Sequence, residues 1–262
     1  MKKVLVIAAS DPCGGAGVEA DVKVLTAHHV NALTAISALT FQDSEKVHGV
    51  KAVHPDDFRR VLEVVRDDRK LDGVKIGALA GAEHVQAVVD FIQALHPRPF
   101  VVLDPVLIAT SGAALLAEEA LPVLRDSLLP LADVITPNLA EARALSGVEI
   151  KDQEKMKDAC LRLVSHGASA SLITGGHLKG DSFDLLFHEG EFIRFPNRLI
   201  DREFHGTGCA LASAIASRLA QGFELVESIR LARAFLELAM AGAVPGKGSS
   251  WLLDLTVTPK DK

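Results

Sequence analysis

The stretch His205-Gly206-Thr207-Gly208-Cys209 gathers two glycines, a hydroxyl and a thiol just ahead of a run in which Leu211, Ile215 and Leu219 recur every four positions. It follows a polar segment, Asp201-Arg202-Glu203. This pattern predicts a glycine-rich turn opening a helix, over residues 210–219, with one buried face. The first N–H groups of a helix have no intrahelical partners and carry the positive end of its dipole, so Gly206, Thr207 and Gly208 could wrap donors around a phosphate. Cys209 falls in the first turn, where a thiolate is favoured and a thiol becomes a candidate base or nucleophile. A plain helix cap with close-packed glycines and a small buried cysteine would leave the same trace.

Two other stretches carry chemistry. Thr136-Pro137-Asn138-Leu139-Ala140-Glu141 sets Asn138 and Glu141 three apart at a helix start. An amide and a carboxylate so placed can hold magnesium through its water shell. A capping box would use the same two residues. Ser10-Asp11-Pro12-Cys13-Gly14-Gly15-Ala16-Gly17 is a glycine loop without the lysine and hydroxyl of a P-loop and without dinucleotide-binding spacing. Its backbone can approach a ligand closely, and a simple tight turn is the alternative.

The elements that must hold these residues alternate. Short apolar runs at residues 4–9, 33–40, 74–76, 100–103, 133–135 and 171–174 predict strands, and helical spacing appears at 18–28, 55–69, 83–95 and 224–240. Residues 184–188 and 191–196 flank His188-Glu189-Gly190 and predict a hairpin. Residues 246–250 read as a flexible turn. Alternating strands and helices predict a mostly parallel sheet with helices on both faces, and ligands then sit outside the carboxyl ends of the strands. Asp11, Gln42, Asp104, Asn138 and Thr174 each follow a strand, so all five are expected at one edge.

With 262 residues, 48% of them apolar, the chain suits one domain over residues 1–262. A net charge of -6 without any basic block argues against a nucleic-acid surface. No apolar run is long enough for a membrane span. Residues 4–9 are too short a core for a secretion signal and run directly into the first glycine loop. Cys13, Cys160 and Cys209 lack metal-ligand spacing, which fits a reducing cytoplasm. The 224–240 helix is more apolar than one core face needs, so part of it is a candidate oligomer surface.

The first glycine loop with Asp21 after it, Leu39-Thr40-Phe41-Gln42, Lys75-Ile76-Gly77, Asp104-Pro105-Val106, Thr136 to Glu141, Gly175-Gly176-His177 and His205 to Cys209 together resemble, in the same order, the hydroxymethylpyrimidine and phosphomethylpyrimidine kinases of thiamine biosynthesis, within the ribokinase superfamily. The resemblance implies a ribokinase-like three-layer α/β/α sandwich with a mostly parallel central sheet, ATP and magnesium as cofactors, and a homodimer. It implies that Gln42 bonds the aminopyrimidine, with Asp11, Gly14, Gly15 and Asp21 lining that pocket. Gly206, Thr207 and Gly208 would hold the transferring phosphate with Cys209 beside the attacking oxygen. Asp104 and Glu141 would serve the metal, and Asn138, Thr174 and Lys247 the nucleotide. Thr174 stands where these kinases usually carry lysine, Cys13 where they carry serine and Ala78 where they carry methionine. The Gly246 to Trp251 segment lacks their His-Gly-Pro continuation. A pyridoxal kinase on the same scaffold and a catalytically weak pyrimidine-binding protein are the competing readings.

Overall fold

The computed structural model describes all residues except 69, 110, 179–180, 198–199, 201 and 260–262, so Arg69 and Asp201 lie outside the described residues. The chain begins β1 (Lys3–Ser10), α1 (Gly17–Ala27), β2 (Asn31–Gln42), β3 (Val47–Ala52), α2 (Pro55–Asp68), β4 (Gly73–Ile76), α3 (Ala82–Ala94) and β5 (Phe100–Leu103). A run of short helical turns over residues 118–131 contains α4 (Leu121–Val123). Then come β6 (Val134–Ile135), α5 (Leu139–Ser146), α6 (Gln153–Ser165), β7 (Ser171–Leu178), β8 (Asp181–His188) and β9 (Glu191–Pro196). The chain closes with β10 (Glu203–His205), α7 (Thr207–Gln221), α8 (Leu225–Ala241), β11 (Val244–Pro245) and β12 (Ser250–Leu252).

Nine strands form one sheet in the order β3-β2-β1-β4-β5-β6-β7-β8-β9. The six from β2 to β7 pair in parallel, while β3, β8 and β9 join antiparallel at the edges. Side chains alternate across the pleat, and the two apolar clusters divide accordingly. Leu5, Ile7, Ile76, Leu103 and Ile135 face the cluster built with α2, α3 and α6. Val4, Val6, Ala8, Val102 and Val134 face the one built with α1, α7 and α8. Both faces are therefore covered, which is why β1 reads as a continuous apolar run; buried β4 is apolar apart from Lys75.

The expected alternation is present, with additions. Strand β3 was not predicted, because His48-Gly49-Val50-Lys51 is polar and leaves one face in water. The hairpin turn holds Glu189 at φ 50° and Gly190 at φ 83°, the left-handed pair that suits the twist of two antiparallel strands. Residues 246–250 are not a free turn: they join β11 to β12, and β12 pairs in parallel with β10.

Candidate active site

A cavity of about 290 Å³ lies at the carboxyl ends of β1, β2, β5, β6 and β7, facing the start of α7. Asp11, Gln42, Asp104, Asn138 and Thr174 all line it, as do Gly206, Thr207, Gly208 and Cys209. Ala78, Val106, Ile108 and Leu115 add an apolar side. The sheet edge thus brings together residues as remote in sequence as Asp11 and Cys209, 198 positions apart.

Backbone contact welds the first glycine loop to the cradle. Gly206 caps α7 at φ +82°, and a Cβ there would sit 1.8 Å from the Gly15 carbonyl oxygen. Gly17, at φ +59°, is equally confined against the Ala9 carbonyl, at 2.4 Å. Asp11 organises the loop between them: Oδ1 accepts from Cys13 N–H at 2.8 Å, and Oδ2 accepts from Gly15 and Ala16 N–H at 3.2 and 2.8 Å. His205 Nε2 donates to the same Oδ2 at 2.9 Å, joining the loop to the residue that precedes the cradle. Burial alone would raise the Asp11 carboxyl, but hydrogen bonds from His205, Gln42 and the loop backbone bring it down to about 2. Because a carboxylate only accepts, the contact turns the Gln42 NH₂ toward Asp11 and leaves its carbonyl for a ligand.

The first free N–H groups of α7 belong to Thr207, Gly208 and Cys209, since Ala210 N–H already bonds the Gly206 carbonyl at 3.0 Å. Beneath them lies a charged cluster. Lys75 Nζ donates to both oxygens of Asp21, at 2.9 and 2.8 Å, with both side chains fully buried, and Ser213 Oγ of α7 donates to Asp21 at 2.7 Å. Although burial works against its charge, the Asp21, Cys209 and Asp104 groups around Lys75 hold its ammonium well above the ordinary lysine range. A charged residue inside the buried strand Val74-Lys75-Ile76 was the sequence signal for such a partner.

Cys209 departs from the helix-start expectation. Burial, with Asp104 and Asp21 adding negative charge, pushes its thiol up to about 12, which outweighs Lys75 and the Gly17 N–H. The thiol is therefore neutral at pH 8, and its thiolate forms only in strong base. Iodoacetamide should accordingly label Cys209 at least tenfold more slowly than a free thiol of ordinary pKa near 8.5, as read by mass spectrometry of peptides. Labelling at the free-thiol rate would mean an activated thiolate.

Asn138 and Glu141 form the capping box: Glu141 N–H bonds Asn138 Oδ1 at 3.0 Å and Asn138 N–H bonds Glu141 Oε2 at 2.9 Å. They also line the cavity, so the two readings of this pair are compatible. Burial raises the carboxyls of both Glu141 and Asp104; the charge of Asp104 adds to the rise at Glu141, and that of Asp21 to the rise at Asp104 against the pull of Lys75. Asp104 Oδ2 is buried without a hydrogen-bond partner among the described residues. Two repelling buried carboxylates with an unpartnered oxygen fit a divalent cation, and magnesium needs only one or two such ligands beside water and phosphate. Among the described residues no cluster of three histidine, cysteine or acidic side chains offers a closed metal cage.

Four expected site residues fall elsewhere. Asp21 lies beneath the cavity, fully buried and consumed by Lys75. Gly14 and Gly15 shape the loop without reaching the cavity wall; a Cβ on Gly15 would meet His205 Cδ2 at 2.5 Å. Lys247 reaches Asp43 at 2.9 Å and Glu45 at 3.5 Å, so it clasps the β2–β3 turn next to Gln42. A second cavity, of about 520 Å³, opens on the other side of the cradle and shares Thr174, Gly175, Thr207 and Gly208 with the first.

A doubly covered parallel sheet with a glycine cradle at its carboxyl edge and cavities on either side defines a ribokinase-like small-molecule kinase. Residues 11–251 match the family model described as phosphomethylpyrimidine kinase, and the chain belongs to that family. A hydroxymethylpyrimidine/phosphomethylpyrimidine kinase of Rhizobium meliloti is 40% identical over 242 residues, spanning 91% of this chain and 90% of the relative. A thiamine biosynthesis bifunctional protein of Geobacter sulfurreducens is 42% identical over 248 residues, and the chain spans 50% of its length. The crystal structure of a phosphomethylpyrimidine kinase from Clostridium difficile superposes with a TM-score of 0.82 at 33% identity, covering 92% of this chain and 100% of that one. The pyridoxal kinase from Staphylococcus aureus in complex with ADP gives 0.89 at 29% identity, covering 98% and 94%.

Proposed function

We propose that this protein transfers the terminal phosphoryl group of ATP to 4-amino-5-hydroxymethyl-2-methylpyrimidine, to its monophosphate, or to both, in thiamine biosynthesis. The observation that carries this reading is the place of the cradle at the meeting of two cavities, which lets an acceptor on one side face a nucleotide on the other. Phosphoryl transfer has a loose transition state and depends mainly on position and charge stabilisation. The free N–H groups of Thr207, Gly208 and Cys209 serve the transferring phosphate. Gln42 offers its carbonyl to the exocyclic amine of the pyrimidine, and the apolar side from Ala78 to Leu115 packs the ring. Asp104 and Glu141 would hold a magnesium ion, which supplies charge neutralisation at the phosphates. Cys209, as a neutral thiol, shapes the floor of the site.

The second cavity supports the nucleotide assignment: Leu211, Leu236, Met240 and Ala241 offer an apolar end for a base, while the shared cradle residues take the phosphates. A relative of this fold binds ADP. We read residues 1–262 as one kinase domain, because the sheet draws on strands from Lys3 to Pro196 and the cradle helix packs across it. For a homodimer, the apolar patch is Leu39, Phe41 and Val50 on β2 and β3, which are 45%, 55% and 37% exposed. Helix α8 instead spends Ile229, Leu231 and Phe235 on its own core. Free Cys13, Cys160 and Cys209 suit the reducing cytoplasm. Among the described residues no helix is long and apolar enough to cross a membrane.

The test is phosphate transfer from magnesium ATP to the hydroxymethylpyrimidine and separately to its monophosphate, with pyridoxal as control, followed by mass. Transfer to a pyrimidine in preference to pyridoxal is the expected result. Folded protein that phosphorylates only pyridoxal, or nothing, would overturn the reading.

A further inference from the structure

The wall of the second cavity holds a buried ion pair outside the machinery described so far. Asp184 on β8 and Arg233 on α8 have side chains only 7% and 12% exposed. Arg233 Nη1 donates to Asp184 Oδ2 and, at 2.9 Å, to Asn197 Oδ1, and Nη2 donates to the Pro196 carbonyl at 2.6 Å. These bonds take three of the five N–H groups of a guanidinium. The other carboxylate oxygen, Asp184 Oδ1, accepts from Asn197 Nδ2 at 3.0 Å and from Gly175 N–H at 3.0 Å. Gly175 is a wall residue of both cavities, beside Thr207 and Gly208. It sits at φ +75° with open space where a Cβ would be, so the bond to Asp184 rather than packing fixes its turn.

A phosphate chain that passes from the cradle into this cavity needs positive charge beyond the helix start. Thr174, between the cavities, supplies none. Among the described lining residues the cations are Arg202 and Arg233, and Arg202 is exposed and occupied over the Trp251 ring, 4.0 Å from its centroid. Arg233 is buried, held by three protein acceptors and flanked by the Phe195 ring at 5.4 Å. An unneutralised Asp184 in the same wall would repel phosphate, so the pair has a reason to be there.

We propose that Arg233 is the cation on the phosphate side of the nucleotide site, oriented by Asp184 and Asn197, and that Asp184 also holds the Gly175 turn beside the cradle. Arg233 thereby determines nucleotide affinity, and Asp184 is a positioning residue. This rests on the kinase reading above.

The experiment is ADP binding by calorimetry, beside KM values for ATP and for the pyrimidine, in Arg233→Met and Arg233→Lys. Arg233→Met should weaken ADP binding and raise the ATP KM at least tenfold, with the pyrimidine KM within twofold of the parent. Arg233→Lys, which keeps the charge, should recover most of that loss. Since Arg233→Met strands a buried carboxylate, Asp184→Asn/Arg233→Met is measured alongside. It leaves a neutral cluster, should keep the parent circular dichroism spectrum, and should still bind ADP at least tenfold more weakly. ADP affinity within twofold of the parent in either folded variant overturns the proposal, as does equal loss of ADP and pyrimidine affinity. A parent that binds ADP yet phosphorylates no pyrimidine would sink the functional reading and leave the calorimetric result on Arg233 intact.

Discussion

Alanine at Gly206 will lower kcat/KM by about 10² or more and will also lower stability, because its methyl group has nowhere to go. At φ +82° an L-residue is strained by roughly 1–2 kcal/mol before any contact is considered. The added Cβ would lie 1.8 Å from the Gly15 oxygen and 2.8 Å from its carbonyl carbon, both backbone atoms that no side-chain rotation can clear. Either the cradle or the first glycine loop must retreat by about an ångström, and a misplacement of that size costs on the order of 10²-fold where catalysis depends on position. The control is Gly222→Ala at the other end of the same helix. Gly222 has φ +97° with nothing within 4 Å of a built Cβ, so it suffers the strain without the collision. Thermal melts of the two variants should both shift downward, Gly206→Ala further, while kcat/KM collapses in Gly206→Ala alone. Near-parental activity in Gly206→Ala would show that the junction of the two loops is not where phosphate is held.

How far the sequence anticipates this site depends on the range of the interaction. Local patterns carry well: the helix after Gly206, the capping box at Asn138 and Glu141, and the acid at the end of β5 are all set by neighbours in the chain. The shared edge of Asp11, Gln42, Asp104, Asn138 and Thr174 also follows, because parallel strands align their carboxyl ends. Helix α6 shows Met156, Ala159, Cys160 and Leu163 at helical spacing and was legible without being predicted. What escapes is decided by contacts between distant segments. Asp21 looks like a pocket residue until Lys75, 54 positions away, is seen to occupy it. Lys247 looks like a nucleotide residue until the β10–β12–β11 sheet carries it to Asp43. The Cys209 thiol illustrates the same limit. The helix start favours its anion, but burial beneath the assembled fold, with Asp104 and Asp21 from remote segments adding negative charge, disfavours it.

Lys75→Met should destabilise the protein by about 3–5 kcal/mol, the cost of leaving one member of a buried ion pair unpaired. Lys75 and Asp21 are 0% exposed, and after the substitution the Asp21 carboxylate keeps, among the described residues, only the Ser213 hydroxyl bond. The damage is local to the cradle. Asp21 belongs to α1, Lys75 to β4 and Ser213 to α7, so the cluster stitches the helix that carries Gly208 and Cys209 onto the sheet. The number does not mean that the pair adds that much to the fold, since two charges lose hydration on burial and recover it only through each other. Two comparisons separate these terms by urea unfolding. Lys75→Met/Asp21→Asn removes both charges and should regain a large part of the loss, giving a coupling energy of at least about 1 kcal/mol for directly bonded partners. Lys2→Met breaks an ion pair of similar length, 3.1 Å to Asp72, but with side chains 52% and 31% exposed it should cost roughly 0–1 kcal/mol. If Lys75→Met is no more costly than Lys2→Met, then the cluster is hydrated in solution, and a dry charged floor beneath the phosphate cradle is the wrong picture of this site.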